Sequence, residues 1–265
     1  MNKINKYILI ASVSSLSVSC DIMQEVVNAS NEIVMNMPSE SVDIAAGLKA
    51  ALNRGTGTAV AQLHKTDGFF KDELIKIYLP EEAKFIYDNK DHYLLKSTGI
   101  SKQIDDVILS MNRVAEEASA KAAPIFTDAV SQITFADAEA ILFGEDNAAT
   151  VYLKNKSYNK LYSEFKPDVD LVMNKDLGLG FSANSSWTLL ADKYNKAVDM
   201  GGSMLGWKKT NTDLSKHVTE KALDGVFVKI EDEEKLIRKD PKERVTQILK
   251  DVFGKLDNQS NNSNN

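Results

Sequence analysis

"SKQIDDVILSMNRVAEEASAK" (residues 101–121) is the stretch whose periodicity settles the fold class. Ile104, Val107, Ile108, Met111, Val114, Ala115 and Ala118 recur at 3.6-residue spacing, so one face of a long helix is apolar. Ser101 is a candidate N-cap. Pro124 falls where the first turn of a following helix tolerates a proline. On the helix wheel, Asn112, Arg113 and Glu116 point away from that apolar stripe. Arg113 can pair with Glu116 or Glu117 on its own helix. Two readings follow: an exposed ion pair worth well under about 1 kcal/mol, or a polar face packed inside a multi-helix body and lining a pocket.

Working outward, nearly every segment reads helical. Thr134 and Asp137 have capping-box spacing for a short helix that Gly144 closes. "NAATVYLKNK" (147–156) is helical, and "KLYSEFKPDVDLVM" (160–173) follows with Pro167 as a kink or break. Trp187 to Asp199 forms another helix, and "MGGSMLGWKKTNTD" (200–213) is the most loop-like part of the body. Asp213 or Ser215 caps a helix that continues past Gly225 and ends near Pro241, and a last helix over 242–253 stops at Gly254. Only "IKIYLP" (75–80) suggests extended backbone. The expected fold is all-α: one domain of about eight or more helices spanning 41–254, with at most one short extended segment and no 20–50-residue repeat.

The two ends read differently. Residues 1–19 hold Lys3 and Lys6, no acid, and an uncharged run from Tyr7 to Ser19. That run is shorter than the roughly 20 apolar residues a membrane span needs and has the layout of a secretory signal. Small residues precede Cys20, the one cysteine of the chain, and the arrangement resembles a bacterial lipoprotein signal in which Cys20 takes the lipid. Leu16 lies four residues before Cys20 rather than three, and Ser17 stands where leucine is usual. The plain alternative is an ordinary secretory signal with an incidental thiol. A lone free thiol in an oxidising compartment is a liability that a thioether to lipid removes. Residues 20–40 then form a tether, and the polar tail over 255–265 has nothing to bury and is expected to be disordered. This places the protein in the bacterial envelope, facing the periplasm. Asp21 resembles an inner-membrane retention signal of enteric bacteria, a rule that does not hold in all lineages, so the choice of membrane stays open.

Composition narrows the partners. The formal net charge is −6, which argues against nucleic acid and against electrostatic adhesion to anionic lipid. With 43% apolar and 26% charged residues, the chain can build an ordinary core. His64, His92 and His217 are too dispersed for a metal site, and no cofactor motif is present. The acidic run "EDEEK" (231–235) lacks the alternating ligands of a calcium loop and reads as a solvated helix face, with Glu234 and Arg238 pairing at i,i+4. "GGSMLG" (201–206) misses the spacing of a serine elbow, and "GLG" (178–180) carries no dinucleotide signal. In "KTDGFF" (65–70), Asp67-Gly68 is a turn and Phe69-Phe70 are anchors behind it.

Several blocks together carry a resemblance: "GLKAALNRGTGTAVAQLHKTDGFF", "IKIYLP", "MNRVAEEA", "PIFTDAVSQITFADAEAILFGEDNAATVYL", "HVTEKALDGVFVKIEDEEKLIRKDP" and "LKDVFG". In this order, from Asp43 to Gly254, they resemble the DUF4197 family of bacterial envelope proteins. The resemblance implies secretion or lipoprotein signals and brings no reaction or cofactor. It picks out polar positions: Asn112, Arg113 and Glu116; Thr134 and Asp137; Asp146, Asn147 and Thr150; and Thr219 to Gly225, with Asp224. Asp67 joins them as a candidate polar cluster. His217 departs from the pattern, where an aromatic, commonly tyrosine, is expected.

The sequence therefore supports a lipid-anchored helical module that binds a hydrophobic small molecule between helices or an envelope protein. Two alternatives remain: a hydrolase using carboxylates such as Glu116 and Asp137 as acid and base, and an envelope scaffold without a small-molecule site.

Overall fold

The central helix forms, but its start and its surroundings differ from the sequence reading. In the computed structural model, which describes residues 44–210 and 213–262, it runs Ile100–Ser119. Gly99, at φ 67°, occupies the cap position in place of Ser101. Its apolar stripe is buried, and so are Ser110, Asn112, Glu116 and Ser119 on the other side. A helix buried nearly all round is an interior helix. Cys20 and the tether lie outside the described residues.

Ten α-helices and one 3₁₀ turn make up the described chain. They are α1 (Ile44–Leu63), α2 (Glu81–Asp88), α3 (Tyr93–Lys96), α4 (Ile100–Ser119) and α5 (Ala122–Ser131). After these come α6 (Phe135–Leu142), α7 (Ala148–Val172), α8 (Ala183–Asp199), the 3₁₀ turn Gly202–Leu205, α9 (Leu214–Lys239) and α10 (Gln247–Asn262). The protein is a single all-α domain. Among the described residues, β pairing is limited to one isolated antiparallel bridge between Asp176 and Ser182. The longest helix, α9, packs against α7, α1 and α4, while α8 covers the other side of α4. One continuous core joins them, including Leu48, Phe126, Leu153, Phe165, Leu190 and Val226.

Four local expectations change. Pro167 does not end its segment; α7 runs through it. An interior proline costs about 3 kcal/mol, and the burial of Leu161, Phe165 and Val169 around it offsets that cost. The 75–80 segment is extended but pairs with no strand: the Ile77 N–H donates to Asn112 Oδ1, and Asn112 Nδ2 donates to the Ile77 carbonyl, both at 2.9 Å. One side-chain amide replaces a neighbouring strand. The glycine-rich stretch after α8 contains an ordered 3₁₀ turn rather than a plain loop. Finally, α10 starts later than the sequence suggests and passes Gly254 into the polar tail, reaching Asn262. The capping box holds: Thr134 Oγ1 accepts from the Asp137 N–H, and Asp137 accepts from the Thr134 N–H.

Candidate functional site

The chain from His64 to Leu79 crosses the polar side of α4, and three consecutive kinds of side chain on that helix fasten it. Asn112 holds Ile77, as described above. Arg113 reaches Asp67, with Nη2 to Oδ1 at 2.7 Å, and pairs with Glu116 on its own helix, Nη1 to Oε2 at 2.6 Å. Glu116 Oε1 accepts from the backbone N–H groups of Phe69 and Phe70, each at 3.2 Å. Two backbone donors that would otherwise be orphaned in a turn are thereby satisfied. His64 Nδ1 donates to the Glu116 carbonyl at 2.9 Å. Asp67 adopts φ 70°, a left-handed conformation that aspartate tolerates better than most residues.

Charge and packing complete this loop clamp. Lys71 sits 2.8 Å from Asp67 Oδ2, and its hydrogen bond, followed by that of Arg113, holds the Asp67 carboxyl below the ordinary 3.8. Asp72 pairs with Lys229 of α9 at 2.6 Å. Burial raises the Asp72 pKa, but the Lys229 bond and a Leu74 N–H outweigh it and hold it low. Phe69 is fully buried against α9. A Cβ at Gly225 would lie 2.6 Å from the Phe69 ring, so the glycine of "TEKALDG" lets this anchor dock. The segment carrying His217 takes part too: its Nε2 donates to the Tyr78 carbonyl at 2.8 Å.

A second polar cluster lies in the other half of α9. Glu234 accepts from the Ala149 N–H at 2.9 Å and from both the N–H and the hydroxyl of Thr150 at 2.8 Å. A carboxylate thus sits on the free N–H groups at the start of the 25-residue α7, where the helix dipole favours negative charge. Arg238 Nε donates back to Glu234 at 2.9 Å, while its two terminal nitrogens donate to the carbonyls of Leu142 and Ile141 at 2.9 and 2.8 Å. Those carbonyls end α6, so one i,i+4 pair on α9 caps the end of one helix and the start of the next. Arg244 continues the network, donating to the carbonyls of Ile237 and Arg238 and pairing with Asp257 of α10. Burial of Glu234 and Arg238 at 6% exposure each overturns the reading of "EDEEK" as a solvated face. Lys239 also pairs with Asp146.

The residues singled out from the sequence therefore fall into several places. Asp67, Asn112, Arg113 and Glu116 come together. Thr150 belongs to the second clamp, with Asn147 at the cap position of α7. Thr134 and Asp137 cap α6 at the surface, where Asp137 also accepts from the Tyr152 hydroxyl at 3.2 Å; the Thr134 bonds, hydroxyl first, hold its carboxyl low. Asp224 is half-buried near Lys154 and Lys221, 3.5 and 3.7 Å away. Glu116 and Asp137 share no partner. The sequence reading missed Glu234, Arg238, Arg244, Asp72 and Lys229 as parts of the interior. One signal was available: Val226, Ile230, Glu234, Ile237 and Arg238 share the apolar spacing of α9.

A void lined by Leu48, Leu52, Gly55, Ile230, Glu234 and Phe253 measures about 10 Å³, room for a single water. Two larger depressions are open to the surface, one beside Lys121 and Lys160, the other beside Asp137, Val151 and Tyr152. Among the described residues, no group of three or more His, Cys, Asp or Glu is placed to hold a metal ion, and no helix is long and apolar enough to cross a membrane.

What these features define is an all-α domain whose interior polar side chains tie its segments together. The chain belongs to the family described as Protein of unknown function (DUF4197), whose profile matches residues 39–254. Neither a curated protein nor a solved structure matches it.

Proposed function

We propose that this is a lipid-anchored bacterial envelope protein whose helical body acts through its surface, as a recognition module, and not by enclosing a ligand or by carboxylate catalysis. One observation carries the choice among the alternatives. Most of the polar residues marked by sequence and family are engaged with backbone or with other side chains of the fold, and the hollow beside Glu234 has room for one water, whereas large apolar side chains stand exposed at the surface. Drug-sized ligands occupy pockets of about 300–1,000 Å³; the depression beside Asp137, Asn147 and Tyr152 measures about 420 Å³ but is open to the surface, so a guest there would be held on the surface and not enclosed. The hydrolase reading requires two carboxyls pushed apart in pKa within one cleft. Glu116 and Asp137 answer to different partners on different helices.

The anchor rests on the residues before Cys20 and on the family resemblance. The test is intact mass of the full chain recovered from membranes, alongside Cys20→Ser. A diacylglyceryl-modified N-terminus at Cys20, lost in Cys20→Ser with release of the protein to the soluble fraction, supports the reading. An unmodified chain in the soluble fraction contradicts it. Native mass spectrometry of the same sample addresses the rest: a stoichiometric adduct removed by solvent extraction would reinstate an enclosed hydrophobic ligand.

A further inference from the structure

A group of exposed apolar side chains, among them the most exposed in the described chain, surrounds one tryptophan. Trp207 is buried and packs edge-on against Phe85 of α2 at 5.5 Å and His92 at 4.9 Å, with Tyr194 of α8 stacked at 6.3 Å. Its N–H donates to the Gly202 carbonyl at 3.0 Å, and a Cβ at Gly202 would lie 2.6 Å from its ring. The 3₁₀ turn is thus seated directly on the indole. The Tyr194 hydroxyl donates to the Lys208 carbonyl, and Asn195 exchanges two bonds with Thr210, which secures the far side. This fixed turn carries Met204, 92% exposed, and Leu205, 54% exposed; beside His92, Tyr93 is 71% exposed. Met200 and Phe85 are exposed as well.

A rigid turn that presents methionine and leucine to water is unexplained by packing, and clustered exposed apolar residues mark interaction sites. From this geometry we infer that the tip around Trp207 inserts into the outer layer of the bilayer that holds the anchor. The inference rests on the lipid-anchor reading given above. Three features select a lipid surface. Met204 projects outward, as insertion into a soft surface requires, instead of lining a groove. Tyr93, packed on His92 beside Trp207, has an apolar body and a polar end, the form that settles at the headgroup level. Charge is the third: residues 81–96 and 199–209 together hold Lys84, Lys90, Lys96, Lys208 and Lys209 against Glu81, Glu82, Asp88, Asp91 and Asp199. On a chain of net charge −6 this region is balanced, matching zwitterionic lipid. The chain between Cys20 and Ile44 can extend at most about 80 Å, so an anchored body stays beside the membrane.

The experiment uses the full lipidated chain carrying Trp187→Phe, which leaves Trp207 as its one tryptophan. The protein is reconstituted in phosphatidylcholine vesicles with brominated acyl chains, a short-range quencher, and compared with unbrominated vesicles. The expected result is loss of most Trp207 emission in brominated lipid, unchanged at high salt, and recovery of emission in Met204→Asp/Leu205→Asp with the same melting temperature. Intact mass of the sample reports the anchor separately. If Cys20 carries no lipid, the vesicles are added in excess to the free chain, and the tip is still read by quenching. Emission equal in both vesicle types overturns the inference whatever the mass shows. So does quenching that the aspartates leave intact. Self-association in lipid-free solution that the aspartates abolish, without quenching by lipid, assigns the tip to a second copy of the chain and also overturns it.

Discussion

The two clamps use the same chemistry and differ in how far water reaches them. Each is a glutamate–arginine pair on a core helix, and in each the glutamate accepts from backbone N–H groups of another segment. In the loop clamp, the Arg113 side chain is 18% exposed beside a Glu116 at 5%; in the helix-end clamp, Arg238 and Glu234 are at 4% and 5%. The difference follows from what each pair fastens. Arg113 holds a surface turn, so one side of its guanidinium meets solvent. Arg238 and Glu234 hold two helix ends against a third helix and are enclosed by them. Removing one partner of a buried pair leaves the other charged without water to stabilise it, so the enclosed clamp should be the more sensitive of the two.

The largest effect is therefore expected for Arg238→Ala. It leaves Glu234 unpaired and the Ile141 and Leu142 carbonyls without their donor, and should destabilise the fold by about 3–5 kcal/mol in urea denaturation. Arg113→Ala should cost less, about 2 kcal/mol, because water can replace part of what is lost. Its signature is local: faster hydrogen exchange over residues 64–80, with α7 unchanged. Equal losses from the two variants would break the comparison. Gly225→Ala sharpens it from the other side of the same loop. The added methyl meets the Phe69 ring, and overpacking of this kind costs about 1–3 kcal/mol, again with faster exchange around Phe69.

The loop clamp also has a response to acid. Asp67 has a folded pKa below its ordinary 3.8, so its contribution is complete above the unfolded value and is lost as pH falls below 3.8 through the lowered one. The loop over 64–80 should therefore loosen in acid, as read by hydrogen exchange across that range. Asp67→Asn should weaken the loop at neutral pH and flatten this acid limb. Glu233 behaves oppositely. Burial raises its pKa, so the fold favours its protonated form, and stability falls as pH rises through the raised value. Glu233→Gln keeps an acceptor for Gln62, which donates to it at 3.0 Å. It should raise the melting temperature slightly at neutral pH, the smallest effect of the series.

Much of this was legible in the residues. The period of 101–121 gives a long helix with one apolar face, and Thr134 with Asp137 gives a cap, because both signals are local. The use of Asn112 was not legible. A side-chain amide that satisfies Ile77 lies 35 positions away in the chain, and local periodicity carries no record of such pairing. Glu234 was misread for a related reason: an acidic run looks solvated until the charge is placed on the apolar stripe it interrupts. Pro167 misled because propensity gave way to tertiary burial on both sides of it. The polar positions marked by the family pattern take their roles only from distance: Asn112, Glu116, Thr134 and Asp137 hold backbone, whereas Arg113, Asp146 and Thr150 bond other side chains.

Whether the buried charges of α9 hold the fold together is decided by a double-mutant cycle on Glu234 and Arg238, with urea denaturation of the two single variants to Ala and of the double. The account predicts single losses of about 3–5 kcal/mol each, with the double losing clearly less than their sum. Singles within about 0.5 kcal/mol of the parent, the range of ordinary surface changes, would contradict it. The buried charges would then have to be retained for some purpose other than holding the fold.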